Sequence, residues 1–196
     1  MLRRGFGWVL ILAGIAVFAI RLLHPGPYPF PGGGNLRAGL LALALGAWLA
    51  RDWLAESGAR RALNAVAVVA GCVVLFFALY STLAELEEVV TLRVEGPEGR
   101  ADLRLWIVDR DAAAWVTMPR AKAEAFALDG ARAQLLRGGR FRCVVPELHD
   151  DRESLEAAFA LRQEKYAVQR LAIAVGVMEP TPSYGVALRL DPCPGA

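Results

Sequence analysis

The stretch that most constrains this chain is Ala62 to Leu83, "ALNAVAVVAGCVVLFFALYSTL", which contains no Asp, Glu, Lys, Arg or His. A helix of 22 residues rises about 33 Å at 1.5 Å per residue, and a bilayer's hydrocarbon core is about 30 Å thick. A charged residue near the middle of such a helix costs about 2.5–3.5 kcal/mol on insertion scales. The clean run therefore predicts a membrane-spanning helix over roughly 62–84. Asn64 falls at interface depth, and Cys72 reads as a small buried thiol.

Two further apolar runs precede it. Gly5 to Leu23, "GFGWVLILAGIAVFAIRLL", has Arg21 as its only charge, placed where a long stem can snorkel to the interface. A signal peptide is the rival reading, with Arg3 and Arg4 ahead of the run and "VFA" as a cleavage site; the two later runs count against it. "AGLLALALGAWLA" lies between Arg37 and Arg51 and predicts a second helix over about 36–55, with Trp48 and Trp53 as interface anchors. Ala38, Ala42, Gly46 and Ala50 recur every four residues, a stripe that lets a neighbouring helix approach closely. That neighbour can be another helix of the chain, a membrane-protein partner or a second copy meeting Ala42 and Gly46. The expected organisation is thus a three-helix transmembrane region over 1–86 and a soluble domain over 87–196. Between the first two helices, 24–35 is a Pro/Gly-rich loop, "HPGPYPFPGGGN", too rich in prolines for a helix and extended in character, with His24 at its interfacial start.

Arginines in short segments set orientation. Arg3, Arg4, Arg51, Arg60 and Arg61 fall on one side, against Arg21, Arg37, Arg93 and Arg100 on the other. The balance puts the N-terminus inside the cytoplasmic membrane and the C-terminal domain outside, where Cys143 and Cys193 would meet an oxidising space.

The chain is 56% hydrophobic, and the excess lies before residue 85; beyond Glu88, 15 basic residues face 15 acidic ones. That balance gives no basic footprint for nucleic acid. Three cysteines without a C-x-x-C spacing and two distant histidines, His24 and His149, argue against a metal site.

The pattern changes after Glu85, Glu87 and Glu88. In "VVTLRVEG", Val90, Leu92 and Val94 alternate with polar residues, as in a half-buried strand. "GPEG" is a turn, Leu103, Leu105 and Ile107 give the next buried face, Asp109 to Ala112 turns again, and Ala114 to Met118 is a third strand. "AQLLRGGRFRCVV" is a hairpin about Gly138-Gly139, and "YGVALRL" a final strand. "PRAKAEAFAL" and "DDRESLEAAFALRQEKYAVQRLAIAV" are helical, the second opened by Asp150 with Glu153 as a capping box, and with Leu155, Phe159, Arg162 and Tyr166 on one face. About six short strands with one short and one longer helix predict a small closed β-barrel with helices across its openings.

The order "LRVEG … RLWIVDRDAAAWV … QLLRGGRFRCVV … DDRE … LRQEKYAVQRL … VALRLDP", residues 89–192, resembles the split β-barrel flavin-binding superfamily. It is most similar to its deazaflavin-dependent nitroreductase-like and pyridoxamine-phosphate-oxidase-like branches. The resemblance implies a split β-barrel, α+β domain and a deazaflavin coenzyme or FMN as cofactor. Its phosphate would be held near the end of the third strand, where "WVTMPRAKAEAF" supplies Thr117, Arg120 and Lys122, with Trp115 or Phe126 beside the ring. A hydroxyl and two cations suit an anionic phosphate. This chain carries Ala125-Phe126 where many relatives have a Trp-Tyr or Trp-Leu pair, and Ala167 where relatives have glycine.

Two functions are expected. One is a membrane-tethered barrel acting as a binding or assembly module, which the altered cofactor segment and the outward orientation favour. The other is a membrane-anchored flavin- or deazaflavin-dependent reductase of a lipophilic acceptor such as a quinone, in which the cofactor does the chemistry. No nucleophile constellation is visible, and the catalytic residues are not read from the sequence.

Overall fold

The structure is a computed structural model that describes residues 2–24, 30–51, 57–96 and 99–195. Chain contacts divide it into a helical unit ending at Glu85 and a β-rich unit from Leu86 onward.

The helical unit contains α1 (Leu2–Leu23), α2 (Gly33–Ala50) and α3 (Gly58–Ala84). Helices α1 and α3 are long and apolar enough to cross a membrane. This corrects the expectation of three such helices. Helix α2 has 18 residues and opens on Gly33-Gly34-Asn35 with Arg37 behind them, so its apolar stretch begins only at Ala38. It also starts earlier than the sequence suggested, because the glycines of the loop are taken into its first turn. Helix α3 begins before its apolar run, where the Ser57 hydroxyl accepts from the Arg60 N–H at 3.3 Å and satisfies an otherwise open donor. Trp53 and the prolines from Pro25 to Pro29 lie outside the described residues.

Small residues bring α1 and α2 together. A methyl group at Gly46 would sit 2.7 Å from the Gly7 carbonyl oxygen, and one at Gly14 would sit 2.8 Å from that of Gly39. Ala38, Ala42 and Gly46 are buried within the chain's own helix packing. Two clusters fill the interior, one built on Leu10, Ala42, Leu49, Ala67 and Val74, the other on Ala13, Val17 and Ala78. Asn64 Oδ1 accepts from the Trp48 indole N–H at 3.1 Å. Arg21 donates to the Pro31 carbonyl at 3.3 Å, and His24 Nε2 lies 3.3 Å from the Glu85 carboxylate. Cys72 faces outward from α3, contrary to its expected burial.

The second unit is a closed antiparallel barrel. Its strands are β1 (Val89–Gly96), β2 (Gly99–Arg110), β3 (Ala113–Pro119), β4 (Ala133–Arg137), β5 (Arg140–His149) and β6 (Gly185–Pro192), in the order β1-β2-β3-β6-β5-β4. Strands β1 and β4 close the ring, with Leu92 opposite Leu135. Closure leaves no unpaired edge. The inward residues follow the period of two: Val90, Leu92 and Val94 face Leu105, Leu103 and Ala101 across the first ladder, and Val116 and Met118 face Leu188 and Val186 across another. Gly138 and Gly139 both adopt positive φ, as a two-residue hairpin turn of this hand requires. Asp111 and Ala112 do the same between β2 and β3. The turn residues Pro97 and Glu98 lie outside the described residues.

The helices depart from expectation. Among the described residues, one end of the barrel is covered: α4 (Arg120–Ala125) leaves β3, and the Phe126 and Leu128 that follow it enter the core, Phe126 against Gly96. The long helical segment is two helices, α5 (Arg152–Lys165) and α6 (Ala167–Ala174). It breaks at Tyr166 (φ −107°, ψ 110°), whose hydroxyl accepts from the Ile107 N–H at 2.9 Å and faces the Ile107 and Glu88 carbonyls at 2.6 and 2.9 Å. Burial pushes that hydroxyl's pKa up to about 12. Asp151, not Asp150, caps α5, accepting from the Ser154 N–H at 2.8 Å. Helix α5 lies on the barrel's outer wall, with Leu155, Ala158 and Phe159 against Val108, Trp115 and Ala187. Cys143 and Cys193 form a disulfide with 5.4 Å between their Cα atoms, joining β5 to the segment after β6.

Candidate functional site

The alternation of β3 decides where the anticipated cofactor residues go. Val116 and Met118 point into the core, so Trp115 and Thr117 point out, beneath α5. The Thr117 hydroxyl there accepts from Arg162. The Arg162 guanidinium lies between two rings, 4.9 Å from the Trp106 centroid and 4.6 Å from that of Phe159. Thr117 and Arg162 line a cavity of about 220 Å³ with Met178 and Tyr184. Arg120 instead reaches Asp150 at 3.4 Å, and its N–H donates to the Tyr184 carbonyl at 2.9 Å. Lys122 is half-buried on α4, and burial holds its amine below the ordinary lysine range. Phe126 is inside the barrel, whereas Trp115 is in the outer cluster, 4.9 Å from the His149 ring and donating to the Arg110 carbonyl at 3.3 Å. The structure thus brings Thr117 together with Arg162, a residue the sequence placed on a buried helix face without a role. It sets the barrel wall between Trp115 and Phe126.

The end of the barrel away from Phe126 is an open mouth. It encloses about 850 Å³ where β2 turns into β3, β4 turns into β5 and β6 ends. Its floor is the last inward layer: Ala114, Leu135, Val144 and Leu190. Trp115, Phe141 and Cys143 of the disulfide also border it. The volume lies within the roughly 300–1,000 Å³ typical of small-molecule sites, and apolar lining with a few polar groups is their usual character.

Charges ring this mouth in matched sets. Arg137 donates to Asp109 at 2.6 and 2.7 Å and to Glu88 at 2.7 Å. Lys165 joins Glu88 and also donates to the Ile107 carbonyl at 2.8 Å. Arg189 bonds Asp191 at 2.9–3.1 Å and Glu147 at 2.5 Å, and Arg110 pairs with Asp111 at 3.1 Å. The Arg137 guanidinium holds the Asp109 carboxyl below its usual range. Burial alone would raise Glu88, but the hydrogen bonds from Arg137 and Lys165 bring it below the usual glutamate value. Arg142 stands apart. Its guanidinium has no hydrogen bond, ion pair or ring contact among the described residues. It sits opposite Leu135 and two residues before Val144, on the inward-facing side of β5. The hairpin "LLRGGRFRCVV" carries three arginines in six residues, the one sign of this site in the sequence; the pairing of Arg137 could not be read there.

Among the described residues there is no group of three or more His, Cys, Asp or Glu able to hold a metal ion. No family model matches the chain, and no curated protein matches it. Among solved structures, the chain is similar to the crystal structure of the conserved hypothetical protein Rv2991 from Mycobacterium tuberculosis, with 16% identity, a TM-score of 0.38, and coverage of 73% of this chain and 84% of that one. The closed six-stranded antiparallel barrel fits a split-barrel-like fold.

Proposed function

We propose that this chain is a membrane-tethered split-barrel protein that acts as a binding or assembly module, with its barrel on the outer side of the cytoplasmic membrane. The observation that carries this reading is the use made of the cofactor-type segment. Thr117 is engaged by Arg162, Arg120 reaches Asp150, and Phe126 plugs one end of the core. These side chains serve the barrel's own packing, while the opposite end stays open.

The Cys143–Cys193 disulfide, which suits an oxidising compartment, supports the outward placement.

A reporter enzyme that is active only after export, fused to the C-terminus, tests the sidedness; activity is expected. An absorbance spectrum of the purified protein, alone and with added FMN or deazaflavin coenzyme, tests the function. No bound chromophore is expected. A visible band that remains with the protein through gel filtration would replace this reading with the membrane-anchored reductase of a quinone-like acceptor, with Thr117, Arg120 and Lys122 as phosphate ligands.

A further inference from the structure

We infer that the open mouth of the barrel binds an amphipathic organic monoanion, its apolar body on the barrel floor and its carboxylate on Arg142. This rests on the reading of the barrel as a binding module and names the chemical class it takes.

The floor demands an apolar body. Ala114, Leu135, Val144 and Leu190 offer no hydrogen-bonding side chain. A polar ligand there would leave its own groups unpaired, at a cost of a few kcal/mol each. An aliphatic or aryl-alkyl chain would not.

The rim selects the head group. Each carboxylate lining the mouth already has a guanidinium: Asp109 has Arg137, Asp191 has Arg189, and Asp111 has Arg110. A cationic ligand would have to displace one of these. Arg142 is the lining cation with no carboxylate of its own among the described residues. It lines the mouth from the same face of β5 as Val144, opposite Leu135, and is exposed there. A guanidinium binds a carboxylate through two parallel hydrogen bonds, which suits one planar anion. One apolar cavity and one free guanidinium at its rim match a single tail and a single charge.

The experiment uses the full chain in phosphatidylcholine nanodiscs, with empty nanodiscs as the blank. Three probes of equal size are titrated by calorimetry: 4-phenylbutyrate, the neutral 4-phenylbutan-1-ol and the cationic 4-phenylbutylamine. Saturable binding of the acid is expected, roughly tenfold or more tighter than the alcohol, as one charge-assisted contact gives. The amine should bind no better than the alcohol. Arg142→Gln should abolish the acid's advantage while leaving alcohol affinity unchanged, and that retained affinity reports an intact fold. Arg140→Gln removes a nearby exposed arginine of the same hairpin that does not line the mouth, and should change neither. Equal affinity for acid and alcohol in the wild type would overturn the anion assignment while leaving a binding module in place. Equal losses in Arg140→Gln and Arg142→Gln would reduce the effect to general surface charge and overturn it too. Absence of saturable binding above the blank would overturn the site itself.

Discussion

The two units of this protein use apolar residues in opposite ways. In the helical unit, Gly7, Gly14, Ala38, Ala42, Gly46 and Ala78 are inside, while Trp8, Leu12, Val66 and Val69 face outward at 60–68% exposure. In the barrel the large residues are inside, among them Leu92, Leu103, Ile107 and Leu188, and the outer face carries charges tied into pairs. Lipid around the helical unit and water around the barrel would each produce its side of this difference. Water drives large apolar side chains together. Lipid tails are as apolar as leucine, so helices there gain by close backbone approach, and small residues permit it. Large apolar side chains form the barrel's core, whereas in the helical unit many of them form an outer coat around a core of small residues with Leu10, Val17 and Leu49.

The largest expected effect tests that contrast directly. Leu103→Ala, in the barrel core, should cost about 2–5 kcal/mol. Leu12→Ala, on the outward face of α1, should change stability by less than about 0.5 kcal/mol in nanodiscs. Chemical denaturation read separately for each unit compares them. An equal cost would mean that Leu12 is packed against protein and that the contrast fails.

A smaller effect is expected from Gly46→Leu. The added side chain meets the Gly7 carbonyl oxygen and the Ile11 backbone, neither of which can yield by rotating a bond. Overpacking of this kind costs about 1–3 kcal/mol. Cross-linking between cysteines placed on α1 and α2 should fall while the thermal unfolding of the barrel stays unchanged. Unaltered cross-linking would show that the small-residue contact is not what holds α1 to α2.

The smallest effect sharpens the barrel's side of the comparison. Glu88 and Asp109 have folded pKa values below their ordinary 4.5 and 3.8. The stability they contribute is therefore fully present above those values and is lost as pH falls through the lower, folded ones. Arg137→Gln should weaken the barrel most near neutral pH, by about 1 kcal/mol or less because the cluster is partly exposed and screened by salt. The difference from wild type should shrink below about pH 4, as both carboxylates protonate. A pH-independent difference would assign Arg137 a packing role instead.

The sequence by itself determined the parts whose signal is local. The three apolar runs become α1, α2 and α3. The alternation at Val90–Val94, Leu103–Ile107 and Val186–Leu190 becomes barrel wall, and Gly138-Gly139 becomes the turn it resembles. Hydrophobic period and turn chemistry depend on neighbours along the chain, so one sequence is enough to see them. The tertiary structure decided what depends on distant residues. It broke the long helix at Tyr166 because that hydroxyl is held by Ile107, 59 residues away. It moved the cap from Asp150 to Asp151 and limited the membrane-length helices to two. It sent Trp115 and Phe126 to opposite sides of the barrel wall and gave Thr117 to Arg162. It also paired Arg137 and Arg189 with acids brought from other strands and left Arg142 alone at the open mouth. Sequence spacing shows which charges a chain carries, but only barrel closure shows which of them are neutralised, because ion pairing depends on distance in space.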